Sequence, residues 1–312
     1  MITLAPDMIA AIGNTPLVQL RKIVPAGSGR VVAKLESCNP TGSMKDRMAR
    51  AAIEAAEVAG RLGPGSTVVE YTGGSTGVSL AFVCAVKGYR TEIVFSDAFS
   101  AEKGLTMRAL GAHLTIVPSG GQGISEALIK RMIETAREIS ARPRCFWTDQ
   151  LNNHDAIAGY HALGDEIWEQ TGAAVDALVH SVGTAHSIHG VARALRRHRG
   201  SLHVTAVEPA ESAVLSGGPS GAHQIDGIGL GFVPPLWHRE DVDEIETVST
   251  AEAMEMARLL AREEGIFAGT STGANVVAAL RVAQRLGPAA TVATIVVDSG
   301  LRYLSTDLFQ ER

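Results

Sequence analysis

The chain has 312 residues, of which 46% are hydrophobic and 20% charged, and its formal net charge is −5. That size allows one large or two ordinary domains, and the acidic excess argues against nucleic acid or an anionic membrane as the main partner. Cys38, Cys84 and Cys145 are widely spaced and form no CxxC, so neither a zinc knuckle nor a disulfide framework is indicated and a reducing cytoplasm is the expected setting.

The start, MITLAPDMIAAIG, has no basic segment and no long apolar stretch, and does not read as a signal peptide. Nowhere does the chain reach the ~18 apolar residues of a membrane-spanning helix. From VVAKLE (31–36) onward, short strands alternate with helical patterns. A helix is expected over 43–60, then strand STVVEY (66–71) and helix 78–88, then strand TEIVFS (91–96) and helix 100–112. Strand HLTIVPS (113–119) and helix 124–141 follow, and after a break near 143–155 comes helix 156–172. The second half gives strand VDALVHSV (175–182), helix 187–200, strand LHVTAVEP (202–209), strand EIETVST (244–250), helix 251–265, helix 274–287 and strand TVATIVV (291–297). Most strands are apolar on both faces and rich in Val and Ile, as in buried parallel sheets. Strand–helix alternation means α/β with mainly parallel sheets. A (β/α)₈ barrel would use a similar number of strands. The break near 143–155 and the loop at 210–236 suit two three-layer αβα domains better, over 1–150 and 151–312. The basic run RALRRHR (193–199) reads as a helix C-terminus, where cations offset the dipole.

Open α/β sheets bind ligands where a strand end passes through a small-residue loop into a helix. Glycine lets the backbone approach closely, and the helix N-terminus offers unpaired N–H groups to an anion. NPTGSMKDR (39–47), YTGGSTG (71–77), VGTAHSIHG (182–190) and AGTSTGA (268–274) have this form, while GIGLGF (227–232) does not begin a helix. There is no GxxxxGK[ST], no GxGxxG after a strand, no GxSxG and no HExxH. A P-loop NTPase, a nicotinamide dehydrogenase, an α/β-hydrolase and a zinc protease therefore lose support. His180, His186 and His189 are close together but lack cysteine or paired carboxylate company, so they read as core or phosphate-contact histidines and no metal site is expected.

Six segments in order, IGNTPLVQL (12–20), KLESCNPTGSMKDR (34–47), TGGSTGVSLA (72–81), GIGLGFVPP (227–235), EGIFAGTSTGA (264–274) and DSGLRYLST (298–306), resemble the motifs of the cysteine synthase family. This family of fold-type II, tryptophan synthase β-like enzymes uses pyridoxal 5'-phosphate (PLP) and includes O-acetylserine sulfhydrylase and cystathionine β-synthase. The resemblance spans residues 12 to 306. It implies a smaller, mobile N-terminal domain, residues 1–150, carrying Lys45 and the substrate loop, with the first strands able to cross to the other domain. It places the PLP phosphate cup in residues 151–312.

By this resemblance Lys45 is the Schiff-base lysine and the base for the substrate's α-proton. Lys34, mid-strand, is a structural or ion-pairing lysine. Thr72, Gly73, Ser75 and Thr76 hold the substrate carboxylate, with Gln150 and Gly227 also on the substrate side. The commoner loop text is TSGNTG, so Gly73 replaces a serine and Ser75 replaces the asparagine that bonds the cofactor's ring oxygen. Gly183, Thr184, Ala185, His186 and Ser187 match the phosphate cup, usually GTGGT. His186 either adds a donor to the phosphate or points outward. Ser271 faces the pyridine nitrogen, and a helix N-cap role is compatible with that. Leu301 stands where relatives often carry Glu.

The implied reaction is β-replacement on an O-activated L-serine (O-acetyl- or O-phosphoserine) through an α-aminoacrylate, with sulfide giving L-cysteine. Alternatives are a cystathionine-forming or specialised β-substituted alanine synthase, a serine/threonine dehydratase, and a non-catalytic regulatory protein of the same fold. The expected partners are a small amino acid and a sulfur or other nucleophile, with no nucleic acid and no membrane. A cytoplasmic homodimer is the family habit.

Overall fold

The Val- and Ile-rich runs fall into two separate sheets. The computed structural model describes residues 4–121 and 126–310. In chain order the strands are β1 (Leu17–Gln19), β2 (Arg30–Leu35), β3 (Thr67–Tyr71), β4 (Arg90–Phe95), β5 (His113–Ile116), β6 (Cys145–Trp147), β7 (Ala177–Ser181), β8 (His203–Pro209), β9 (Glu244–Val248) and β10 (Thr291–Val296). The helices are α1 (Lys45–Val58), α2 (Ser75–Lys87), α3 (Ala101–Ala109), α4 (Glu126–Ser140), α5 (Asp155–Ala158), α6 (His161–Gln170), α7 (His186–His198), α8 (Thr250–Leu259) and α9 (Thr270–Leu286). The fold is α/β with mainly parallel sheets, as the alternation of periods implied. The chain divides into two compact units, Met1–Gly13 with Asn39–Gly159, and Asn14–Cys38 with Tyr160–Arg312.

The first unit holds a four-stranded sheet of order β5-β4-β3-β6, in which every pairing is parallel. Val68, Ile53, Leu80 and Phe146 form one apolar cluster, and Val78, Ile93, Phe95 and Met107 another. From β3 the chain moves to β4 and β5 on one side, then returns to place β6 on the other. Such a reversal opens a crevice at the carboxyl ends of the strands, here between the segments that follow β3 and β6.

The second unit holds a six-stranded sheet of order β1-β2-β10-β7-β8-β9, antiparallel only between β1 and β2. All of β7 and β10 is buried, as fits strands covered on both faces. The strand order reverses between β7 and β10, so the segment after β7 lies at that unit's switch point.

Several boundaries differ from the periodicity. Strands β1 (LVQ) and β6 (CFW) were not expected, because three residues each are too few to show a period. Strand β6 lies inside what read as an interdomain break. Helices α2 and α9 begin earlier than 78 and 274, at Ser75 and Thr270. Their first turns are Gly-, Ser- and Thr-rich and read as loop, yet Gly273 is there for packing: a Cβ on it would lie 1.9 Å from the Ala253 carbonyl oxygen of α8. The helix expected over 156–172 is two, α5 and α6. Of the helix expected over 124–141, Ile124 and Ser125 lie outside the described residues. Among the described residues no helix is long and apolar enough to cross a membrane.

Candidate active site

In the first unit, Lys45 is the first residue of α1 and is half-buried. The loop before it is fixed from several directions. The Gly42 N–H donates to the Asn39 carbonyl at 2.7 Å, and Gly42 has φ +76, a left-handed turn that glycine adopts without strain. Asn39 Oδ1 accepts from the Gly13 N–H at 2.9 Å. Asp46, fully buried in the first turn of α1, accepts from the Thr41 N–H at 2.8 Å and from its hydroxyl at 2.6 Å. A carboxylate there is favoured by the helix dipole and a cation is not, so the helix is stabilised by Asp46 while the loop presents Lys45.

The segment after β3 forms a second fixed loop. Thr72 Oγ1 accepts from the Gly74 N–H at 2.9 Å, and Gly74 has φ +134 with its Cα hydrogen facing the buried Lys103 stem. Ser75 opens α2, whose first N–H groups have no partner within the helix. Thr76 Oγ1 donates to Gln150 Oε1 at 2.9 Å, and Gln150 Nε2 donates to the Tyr71 carbonyl at 2.8 Å. Thr72, Gly73, Ser75, Thr76 and Gln150 are thus brought together at the reversal between β3 and β6.

Gly73, which the motif resemblance sets in place of a serine, lies against Phe99. A Cβ on Gly73 would lie 2.8 Å from Phe99 Cε1, so the ring fills the space of the missing side chain. Gly73→Ser is therefore expected to lower stability by about 1–2 kcal/mol. Urea denaturation of Gly73→Ser in wild-type and Phe99→Ala backgrounds checks this, since the loss should shrink when the ring is gone. Equal losses in both would remove the contact as the cause.

Beneath this loop lies a residue that the sequence reading missed. Glu70 is fully buried and accepts from Thr148 Oγ1 at 2.6 Å, the Gln150 N–H at 2.9 Å, the Tyr71 N–H at 2.9 Å and Trp147 Nε1 at 3.2 Å. A single acid inside STVVEY was its only signal. Burial pushes its carboxyl up to about 7, against these hydrogen bonds, which hold it down. A carboxyl raised on folding contributes stability below its unfolded value near 4.5, and that stability is lost as pH rises through about 7. Across that window the wild type should lose roughly 3 kcal/mol that Glu70→Gln does not. Denaturant melts of both proteins at pH 4.5 and pH 8 read the difference, and parallel pH profiles would contradict it.

In the second unit, the segment from β7 to α7 forms a narrow turn. Ala185 has φ +70, a left-handed conformation at a non-glycine residue, and it faces the first turn of α7, where N–H groups lack helical partners. A Cβ on Gly183 would lie 2.4 Å from the Gly227 carbonyl oxygen, and the Gly229 N–H donates to the Val182 carbonyl at 3.2 Å. Gly183 and Gly227 are thus adjacent. Thr184 Oγ1 and His186 Nδ1 are 2.8 Å apart, and His186 is buried. Ser187 Oγ is 2.8 Å from Nε2 of the buried His180.

Ser271 is 2% exposed in the first turn of α9, and its hydroxyl makes no hydrogen bond to a described residue. Around it, Thr270 Oγ1 accepts from the Asp226 N–H at 3.0 Å and Thr272 Oγ1 from the Val297 N–H at 3.0 Å. DSGLRYLST supports the same helix start: Tyr303 donates to Asp298 at 2.7 Å, and both side chains pack on Gly269. Lys34 is buried and pairs with Glu166 at 2.6 Å, a structural ion pair. His189 accepts from the His238 N–H at 3.1 Å, and burial lowers it to about 4. Among the described residues no group of three or more His, Cys, Asp or Glu is arranged to hold a metal.

A family model described as pyridoxal-phosphate dependent enzyme matches residues 9–298. A cysteine synthase of Staphylococcus aureus (strain Mu50) is 42% identical over 301 residues, covering 96% of this chain and 95% of its own. The crystal structure of a cysteine synthase (OASS) from Entamoeba histolytica matches with a TM-score of 0.91 at 37% identity, covering 99% of this chain and 92% of that one. An O-acetylserine dependent cystathionine beta-synthase from Helicobacter pylori matches with a TM-score of 0.91 at 34% identity, covering 99% of this chain and 100% of that one.

Proposed function

Because this chain belongs to the pyridoxal-phosphate dependent enzyme family, we propose that it catalyses β-replacement on O-acetyl- or O-phospho-L-serine, with sulfide as nucleophile and L-cysteine as product. The observation that carries this reading is the chain-length likeness to cysteine synthases.

The residues present fit PLP. The turn at Gly183–Ala185 leads into a helix N-terminus with hydroxyls of Thr184 and Ser187 beside it, a cradle suited to a phosphate dianion. The unengaged hydroxyl of Ser271 fits a weak partner for a pyridine nitrogen. When bound, PLP supplies an electron sink conjugated to the amino acid's α-carbon.

The protein's own groups do the rest. Lys45 would hold the cofactor through Nζ, and the same amine would take and return the substrate's α-proton. The N–H groups at the start of α2, that of Thr76 among them, and the Thr72 hydroxyl hold the substrate carboxylate and so fix the direction of the Cα–H bond. Gln150 is clamped to Thr76 and Tyr71 and keeps that loop in register. A neutral hydroxyl at Ser271, in place of a carboxylate, favours loss of a β-substituent over transamination or racemisation.

The test is the PLP-loaded protein mixed with each donor and sulfide, followed by product analysis. Cysteine formation is expected. Pyruvate and ammonia without cysteine would replace this reading with a dehydratase, and failure to consume either donor would overturn it. The reading extends, by family likeness alone, to a cytoplasmic homodimer. Light scattering at the single-chain mass of 32.7 kDa would remove the dimer.

A further inference from the structure

Behind the turn that leads into α7 lies a buried chain of side chains with its hydrogen-bond directions fixed from the backbone. Asn275 of α9 is fully buried. Its Oδ1 accepts from the Ser181 N–H at 2.7 Å, and its Nδ2 donates to the Ile295 carbonyl at 2.9 Å. An N–H only donates and a carbonyl only accepts, so these two contacts set which end of the amide is nitrogen. The second hydrogen of Nδ2 is then directed at His180 Nδ1, 3.3 Å away. That nitrogen is therefore the acceptor, and the proton of the neutral ring sits on Nε2. Nε2 lies 2.8 Å from Ser187 Oγ and donates to it. Ser187 consequently spends a lone pair on His180, and its own O–H is left to point elsewhere.

We propose that Asn275 and His180 are positioning residues that turn the Ser187 hydroxyl proton outward, toward an anion at the start of α7. The inference rests on the reading that this turn receives the PLP phosphate. Two features make the relay more than packing. The ring is fully buried, so water cannot substitute for either partner. Each link has one donor and one acceptor, and the sense of the whole chain is set by Ser181 and Ile295, which no side-chain rotation can reverse. A serine hydroxyl left to itself samples several rotamers, and fixing it in advance removes an ordering cost from binding. Ala185 and His186 keep their N–H groups at the start of α7 but add side chains that glycine would not have, and a pre-aimed Ser187 hydroxyl adds a directed donor to that turn.

Three measurements on the full-length protein test this. Nitrogen-15 spectra of the histidine rings should show His180 protonated on Nε2 and bare on Nδ1. PLP titration of the cofactor-stripped protein should show His180→Leu and Ser187→Ala each weakening binding about tenfold, the loss of one hydrogen bond to a charged group. The double variant should be no weaker than Ser187→Ala alone, because both changes remove one contact. His180→Gln, whose amide can still donate to Ser187, should bind within about threefold of wild type, and its phosphorus-31 signal for the bound cofactor should match wild type while that of His180→Leu shifts. A His180 ring protonated on Nδ1 overturns the relay, and this readout stands even if His180→Leu does not fold. Wild-type PLP affinity in His180→Leu, or losses that multiply in the double variant, overturns it as well. If the wild-type chain takes up no PLP, this inference and the proposed function fall together. If the affinities follow the expected pattern but no cysteine is made from either donor, the relay stands and the proposed reaction falls.

Discussion

Lys45→Ala is expected to lower turnover by at least about 10³-fold, the scale on which a positioned acid–base group acts, and to remove the covalent attachment as well. Borohydride reduction of the PLP-loaded wild type, followed by digestion and mass spectrometry, should leave the cofactor on the peptide that contains Lys45, and the alanine variant should carry none. Stability should not follow activity. Lys45 opens α1, where a cation opposes the helix dipole, and alanine has the better helix propensity. The urea midpoint should therefore hold or rise slightly. Asp46, with its two bonds to Thr41, carries the helix start in either protein. A variant that retains turnover would strip Lys45 of its role, and one that loses turnover only because it unfolds would contradict the account of the loop.

Gly273→Ala should produce a large loss of stability for a single added methyl. The added carbon would sit 1.9 Å from the Ala253 carbonyl oxygen and 2.9 Å from its carbon. Both are backbone atoms of α8, so no rotamer change relieves the contact. Helices α8 and α9 must part, at a cost of about 3 kcal/mol, the upper range for overpacking a filled interior. The displaced element carries Ser271 two residues before the substitution and Asn275 two after it. Cofactor affinity should fall along with the urea midpoint, and a midpoint within about 0.5 kcal/mol of wild type would show that the helices yield easily.

Part of this was legible from the residues alone. The period of the strands and helices identified an α/β chain with mainly parallel sheets, and the order of the Gly-rich loops identified the family. Boundaries were less legible where two requirements compete. At 270–273 glycine and serine signal a loop locally, but close approach of α8 demands that composition inside a helix. At 145–147 three residues pair with β3 and carry no period of their own. Glu70, Phe99 and Asn275 were invisible as partners for the same reason: each is joined to its loop by tertiary contact across many residues of sequence. A glutamate in a valine-rich strand and a glycine in place of a family serine were the only hints available. The replacement of glycine by Ala185 was visible, but its left-handed backbone was not.

The pairing of β2 with β10 carries a consequence for how the chain is made. Arg30 lies beside Thr291 in that ladder, and Leu35 beside Val296. Between these strands the chain contributes all of β3, β4, β5 and β6, whose partners lie within a much shorter stretch. During synthesis the four-stranded sheet can close long before the six-stranded one, whose early strand must wait for nearly the last residues to emerge. Loop-closure entropy opposes so distant a pairing, and until it forms, β2 presents an unsatisfied apolar edge. The order of emergence therefore favours an intermediate with Lys45 already held on a formed helix while the sheet next to Ser187 and Ser271 is still open. Such a chain would fix Lys45 early and the turn at Gly183–Ala185 last.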